Sequence, residues 1–196
     1  MRELLIATGN KGKLVEIEHA LQGLPFVLKG LKEVFPQGYD IEEPGETFEG
    51  NAIIKAMTFG KRSGMLTLAD DSGLEVDALD GAPGVMTARY APGSDEDRYR
   101  KLLDVMKAIP DEKRGAQFRC VTVIYDPERN DKIRICEGVM QVRIAREPKG
   151  NMGFGYDPII FVEETQKMHA EETTEERNKT SHRGKALAKV REVLLR

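Results

Sequence analysis

The chain has 196 residues, 40% of them hydrophobic, a length that encloses one substantial core and would leave two separate domains small, so a single domain over residues 1–196 is expected. Its 33 acids against 30 lysines and arginines give a net charge of -3, which excludes a broad electrostatic drive toward nucleic acid or an anionic membrane and leaves phosphate recognition to local clusters. No apolar run approaches the roughly 18 residues that span a bilayer, and "ELLIAT" begins without a signal peptide's basic start, so a cytosolic protein is expected.

In chain order, "ELLIATGNKGKLVEIEHALQGLP" passes from a short apolar run to a helical repeat with Leu14, Ile17, Leu21 and Leu24 on one face. That pattern predicts strand, loop, helix, with Asn10 as cap and Gly23 and Pro25 as stop. A short strand and a Pro/Gly-rich connection carrying Glu42 and Glu43 lead to a second helix from near Thr47 to near Gly64, with Phe48, Ala52, Ala56 and Phe59 as its core stripe. "MLTLA" predicts a buried strand that ends by delivering Asp70 and Asp71. After a loop holding Asp77 and Asp80, "SDEDRYRKLLDVMKAIP" predicts a helix capped by Ser94. Two β-rich runs between Ala116 and Arg146 form a hairpin, "GNMGFGYDPIIFV" runs from loop into strand, and a last helix starts at Ser181. Helical crossovers followed by a hairpin predict an α/β fold with mixed strand directions. Cys120 and Cys136 lack metal-ligand spacing and are expected as buried thiols, with a disulfide across the hairpin as the alternative.

Five segments can carry chemistry. In "ATGNKGK", two glycines and two lysines meet a helix start whose free N–H groups attract anions, although the spacing is not that of a Walker loop. Among Glu42, Glu43, Asp70 and Asp71, two carboxylates about 4 Å apart would repel by about 4 kcal/mol at an effective dielectric near 20, so a shared site needs a cation or a proton. The absence of His and Cys from that set points to Mg²⁺, with Mn²⁺ as a substitute. Successive strand residues face opposite ways, which gives Asp70 and Asp71 different roles unless the strand has ended. Asn51 and Lys55 share a helix face that, taken alone, reads as solvated. "GFGYDP" either frees backbone around Phe154 and Tyr156 for stacking on a planar ligand or forms a turn with core aromatics, and "SHRGK" sets His182 and Arg183 in a first helical turn.

Together, "ATGNKGK", "EEPGETFEGNAIIKA", "LADDSGLEVDALDGAPGVMTARY", "GFGYDP" and "SHRGKAL" fall in an order and spacing that closely resembles the inosine triphosphate pyrophosphatase family, specifically its prokaryotic non-standard purine NTP (dITP/XTP) pyrophosphatases. The resemblance runs from Thr8 to Leu187. It implies a homodimer of an elongated α/β protein, a mixed β-sheet flanked by helices in two lobes with the active-site cleft between them. It further implies Mg²⁺-dependent hydrolysis of ITP, dITP, XTP and dXTP to monophosphate and pyrophosphate. Carried over, Thr8, Gly9, Asn10, Lys11, Gly12, Lys13 and Lys55 hold the triphosphate, Glu42 and Asp71 bind metal, Asp71 is also the base, and Ser72 contacts substrate. Phe154, Gly155, Tyr156, Asp157, His182 and Arg183 form the base pocket. Many relatives have lysine five residues before the histidine of "SHR"; here Arg177 stands there, with Lys179 two positions on, and either could fill that role.

Overall fold

The computed structural model describes residues 1–42, 44–129 and 132–196. Strand β1 (Arg2–Ile6) leads into helix α1 (Lys11–Leu21), which Asn10 caps as expected. Strand β2 (Phe26–Gly30) and the single-turn helix α2 (Leu31–Val34) precede helix α3 (Phe48–Ser63). The Thr47 hydroxyl accepts the Gly50 N–H at the start of α3, and Gly64 ends it in the left-handed conformation at φ 70°, which glycine adopts without steric cost. Phe48, Ala52, Ala56 and Phe59 are buried along it as the spacing predicts. Strand β3 (Leu66–Val76), helix α4 (Asp95–Val105), strand β4 (Gly115–Asp126) and strand β5 (Lys132–Ile144) follow, then strands β6 (Ile160–Val162) and β7 (Lys167–Met168), and helices α5 (Thr174–Thr180) and α6 (His182–Leu194).

The seven strands form one sheet in the order β2-β1-β3-β4-β5-β6-β7. β1 is parallel to β2 and to β3, while β6 is antiparallel to β5 and β7, so the sheet is mixed as expected. One correction concerns β3. Asp70 and Asp71 stand in the middle of an 11-residue strand rather than at its end, because Leu74 and Val76 extend the alternation and are themselves fully buried. An element that the sequence reading does not contain is α5, which starts inside the acidic "EETTEER" stretch with Thr173 as cap and Glu176 completing a capping box. Cys120 and Cys136 are buried free thiols. Among the described residues, no helix is long and apolar enough to cross a membrane.

The chain divides into two compact units. Unit 1 comprises Met1–Asp71, Cys120–Gly138 and Arg183–Arg196, and its core gathers Leu4, Ile6, Ile17, Leu68, Leu187 and Val190. Unit 2 comprises Ser72–Arg119 and Val139–His182, with Leu74, Leu102, Met106, Val142 and Ile159 in its core. Its least expected core member is Arg114, only 2% exposed, which donates to the main-chain carbonyls of Met106, Ile144 and Ala145 at 2.7–2.9 Å. Those acceptors meet the requirement that a buried guanidinium be hydrogen-bonded.

Candidate active site

The candidate phosphate-binding features begin where β1 leaves the sheet. The Lys13 N–H donates to the Asn10 side chain at 3.1 Å, and the Asn10 N–H donates to the Thr8 hydroxyl at 3.2 Å, which fixes the loop against the start of α1. No acid occupies the first turn of α1, so the partial positive charge of that helix end is left for an anion. Thr8 and Gly12 are half-buried, while Gly9, Asn10 and Lys11 are exposed. A β-carbon at Gly9 would lie 3.3 Å from the Tyr39 hydroxyl, tighter than most packing permits.

Behind this loop the two acids of β3 have separate partners. Asp70 Oδ2 lies 3.0 Å from Lys13 Nζ and 3.5 Å from Arg183 Nε, with the Cys120 thiol at 4.0 Å. Arg183 also makes a very close ion pair with Glu16. Burial works to raise the Asp70 carboxyl, but Lys13, Arg183 and Lys55 outweigh it and hold the group well below the usual carboxylate range. Burial works to lower the Arg183 guanidinium, and Asp70 and Glu16 more than offset it. Cys120, by contrast, is pushed up to about 12 by burial and then by Asp70, so it is a thiol at neutral pH and not a thiolate ligand.

Asp71 faces other groups. Its Oδ1 accepts from Lys55 Nζ at 3.1 Å and its Oδ2 from Asn51 Nδ2 at 3.2 Å. Asn51 and Lys55 are therefore not a solvated helix face, since they are 0% and 7% exposed and both point at this carboxylate. Three cations (Lys13, Lys55, Arg183) thus balance three carboxylates (Glu16, Asp70, Asp71) within unit 1. Glu42 is exposed in the connection before α3, and Glu43 lies outside the described residues. Ser72 follows Asp71 in β3 and is half-buried.

Within unit 2, the "GFGYDP" segment is held by its own hydrogen bonds. The Phe154 N–H donates to Asp157 Oδ2 at 2.9 Å and the Gly155 N–H to Asp95 Oδ2 at 2.8 Å, so these donors already serve carboxylates. Tyr156 is buried and donates its hydroxyl to the Thr87 carbonyl at 3.0 Å, which makes it a core aromatic, while Phe154 is half-buried. Arg177 is buried with Nη1 3.3 Å from Asp157 Oδ2, whereas Lys179 is exposed and paired with Glu175 at 2.9 Å. Of the two cations, Arg177 is the one that joins this segment. Gly153, at φ 86°, makes room for that pair, because a side chain there would overlap both Asp157 and Arg177. His182 is buried and stacks on Phe118, ring centroids 4.7 Å apart.

Four participants escape sequence reading: Glu16, Cys120, Asp95 and Thr87. Glu16 is three residues after Lys13 on one helix face, and that spacing was the available signal.

A buried carboxylate held by lysine and asparagine, beside a glycine-lysine loop at a helix start, is the equipment of a nucleotide-phosphate enzyme. The chain belongs to the Ham1 family, whose profile matches residues 4–193. It is 46% identical over 196 residues to the dITP/XTP pyrophosphatase of Desulforamulus reducens, covering 99% of this chain and 96% of that protein. Identity to the dITP/XTP pyrophosphatase of Geobacter sulfurreducens is likewise 46% over 196 residues, covering 99% and 97%. The structure of a HAM1 protein from Coxiella burnetii superposes with a TM-score of 0.89 at 43% identity, covering 100% of this chain and 99% of that one.

Proposed function

We propose that this protein hydrolyses non-standard purine nucleoside triphosphates (ITP, dITP, XTP, dXTP) to the nucleoside monophosphate and pyrophosphate, removing them from the nucleotide pool. The observation that carries the reading is Asp71, buried mid-strand with Lys55 and Asn51 on its two oxygens, in a chain whose relatives are named for this reaction.

Asp71 orients water for in-line attack on the α-phosphorus and accepts its proton. Lys55 and Asn51 hold the carboxylate in one orientation, and Lys13 and Lys55 stabilise the charge that develops on departing pyrophosphate. The helix start receives the phosphates through the backbone N–H groups of Gly9, Lys11 and Gly12, those of Thr8, Asn10 and Lys13 being engaged within the loop.

Charge balance supports a cation arriving with the substrate. Three cations already offset three carboxylates, so a triphosphate would be largely uncompensated by the side chains alone. Among the described residues, no three His, Cys, Asp or Glu side chains gather as a metal cage. Mg²⁺ needs no such cage, since it is commonly held by one or two carboxylates plus substrate phosphates, and the oxygen-only pair Glu42 and Asp71 suits it or Mn²⁺. Bound there, the ion would neutralise phosphate charge and polarise the scissile bond. Asp70 has no part in this, being committed to Lys13 and Arg183.

In unit 2, recognition of a 6-oxo purine falls to His182, Phe154 and the Arg177–Asp157 pair, with loop N–H groups available only on release from Asp95 and Asp157. Adenine presents an amino donor where hypoxanthine presents an acceptor, so ATP would leave donors unpaired. The reading includes a cytosolic homodimer, for which light scattering on the purified chain is the direct check. The reaction itself is tested by incubating the protein with ITP and Mg²⁺ and separating products by ion exchange, with ATP and GTP in parallel. IMP plus pyrophosphate, made from ITP in preference to ATP, is the expected result; IDP plus phosphate would place attack at the γ-phosphorus and overturn it.

A further inference from the structure

Unit 1 contains a cavity of about 230 Å³ at the opposite ends of its parallel strands from the phosphate loop. Arg2 opens β1, Phe26 opens β2 and Leu66 opens β3, whereas Thr8 to Lys13 follow the far end of β1 and Asp70 lies four residues along β3 from Leu66, a separation of about 13 Å at strand rise. Ligands of parallel sheets ordinarily sit beyond the carboxyl ends of the strands, and this cavity is at the amino ends. It shares no residue with the candidate active site.

Its lining is amphipathic. Among the described residues, Arg2, Arg129, Lys132, Arg134 and Arg196 contribute five cations to the lining, against the carboxylate of Asp126. Beneath them lie Phe26, Leu66, Ile124 and Leu194. Asp126 is already committed, with Arg2 at 2.6 Å and Arg129 at 3.6 Å, and Arg2 also reaches Glu128 at 2.8 Å. The side chains of Lys132 and Arg134 have no such partner: among the described residues neither side chain makes a hydrogen bond or an ion pair. They are two apart on β5, so both project to one side of the strand, and Arg134 is half-buried. A half-buried guanidinium fork over an apolar floor matches a planar carboxylate or a phosphate whose body can occupy the floor.

We propose that this cavity is a second ligand site that takes a small molecule with a carboxylate or phosphate head on an apolar body, the head on Arg134 and Lys132 and the body against Phe26, Ile124 and Leu194. The site is separate from substrate turnover, so its occupant is neither the substrate nor its counter-ion.

The test is calorimetric titration of the full-length protein with phenyl phosphate and, separately, with octanoate, using inorganic phosphate as the head-only control. At least one of the two amphipathic anions is expected to bind saturably. Arg134→Glu and Lys132→Glu are each expected to weaken that binding by at least about tenfold, whereas Asp71→Asn leaves it unchanged and both cavity variants hydrolyse ITP as the parent does. Unchanged hydrolysis also shows that the variants fold. Binding of phenyl phosphate alone would identify phosphate esters as the natural class, and binding of octanoate alone would identify carboxylates. The proposal is overturned by no saturable binding of either probe up to about 10 mM, by binding that survives both cavity substitutions, or by inorganic phosphate binding as tightly as phenyl phosphate.

Discussion

Asp70 and Asp71 are chemically identical neighbours with opposite duties, and substitution should separate them. Asp71→Asn keeps the shape and a hydrogen bond with Asn51 or Lys55 but loses the proton acceptor, so kcat for ITP should fall by about 10²- to 10⁴-fold, with a smaller change in nucleotide affinity. Near-parental turnover would remove Asp71 from the chemistry. Asp70→Asn should act instead on the fold. It leaves Lys13 and the buried Arg183 without their shared counter-charge, and breaking a buried pair of this kind costs about 3–5 kcal/mol. A urea midpoint equal to that of the parent would show the cluster is not holding unit 1 together. The two carboxylates were visible in the sequence as a pair, and opposite orientation followed from strand geometry. Their partners were not visible, because Lys13, Lys55 and Arg183 come from three different helices.

At the scale of elements, the helix limits were the most legible feature. Thr47 and Gly64 bracket α3 and Asn10 opens α1, since capping is a short-range interaction between residues within one turn. The length of β3 was obscured by its consecutive acids and a Ser-Gly step, which imitate a loop until the second core claims Leu74 and Val76. Helix α5 was missed because its seven residues carry no apolar stripe. The "GFGYDP" segment reads in sequence either as freed backbone or as a turn with core aromatics, and what neither reading contains is its tie to Asp95 from α4. Asp95→Ala should therefore raise KM for ITP with little change in kcat, and Asp95→Asn, which retains an acceptor oxygen, should restore much of the loss; equal KM values across the three proteins would dismiss the contact. A further check concerns the turn after β7, where buried Glu172 accepts from the Thr165 hydroxyl and meets His169 Nδ1, each at 2.5 Å. Burial favours the neutral acid, but His169 and Thr165 outweigh it and hold Glu172 below the usual range. A carboxyl depressed in the folded state contributes stability that is complete above its unfolded pKa, about 4.3, and is lost as pH falls through the lower folded value. The melting-temperature gap between the parent and Glu172→Gln should accordingly be narrower below about pH 4 than at about pH 5.

For the molecule as a whole, the sequence carried the α/β class, the mixed sheet and the burial of its two cysteines. It did not carry the division into two units, whose four boundaries fall inside β3, β4, β5 and the first turn of α6, where no change of composition marks them. Both thiols belong to unit 1 and both are buried. The native protein should leave Ellman's reagent unreacted and release two thiols on denaturation, while added reductant leaves the melting temperature unchanged; a stabilising effect of oxidation would contradict the free-thiol state. One further consequence follows from the adjacency of Asp70 and Asp71. Because neighbouring strand residues face opposite ways, gaining or losing a single residue between Leu66 and Asp70 would exchange the environments of the two carboxylates and send the wrong one to each set of cations. This stretch of the gene can therefore drift by replacing letters, but a change of its length by one codon would scramble the candidate site in a single step.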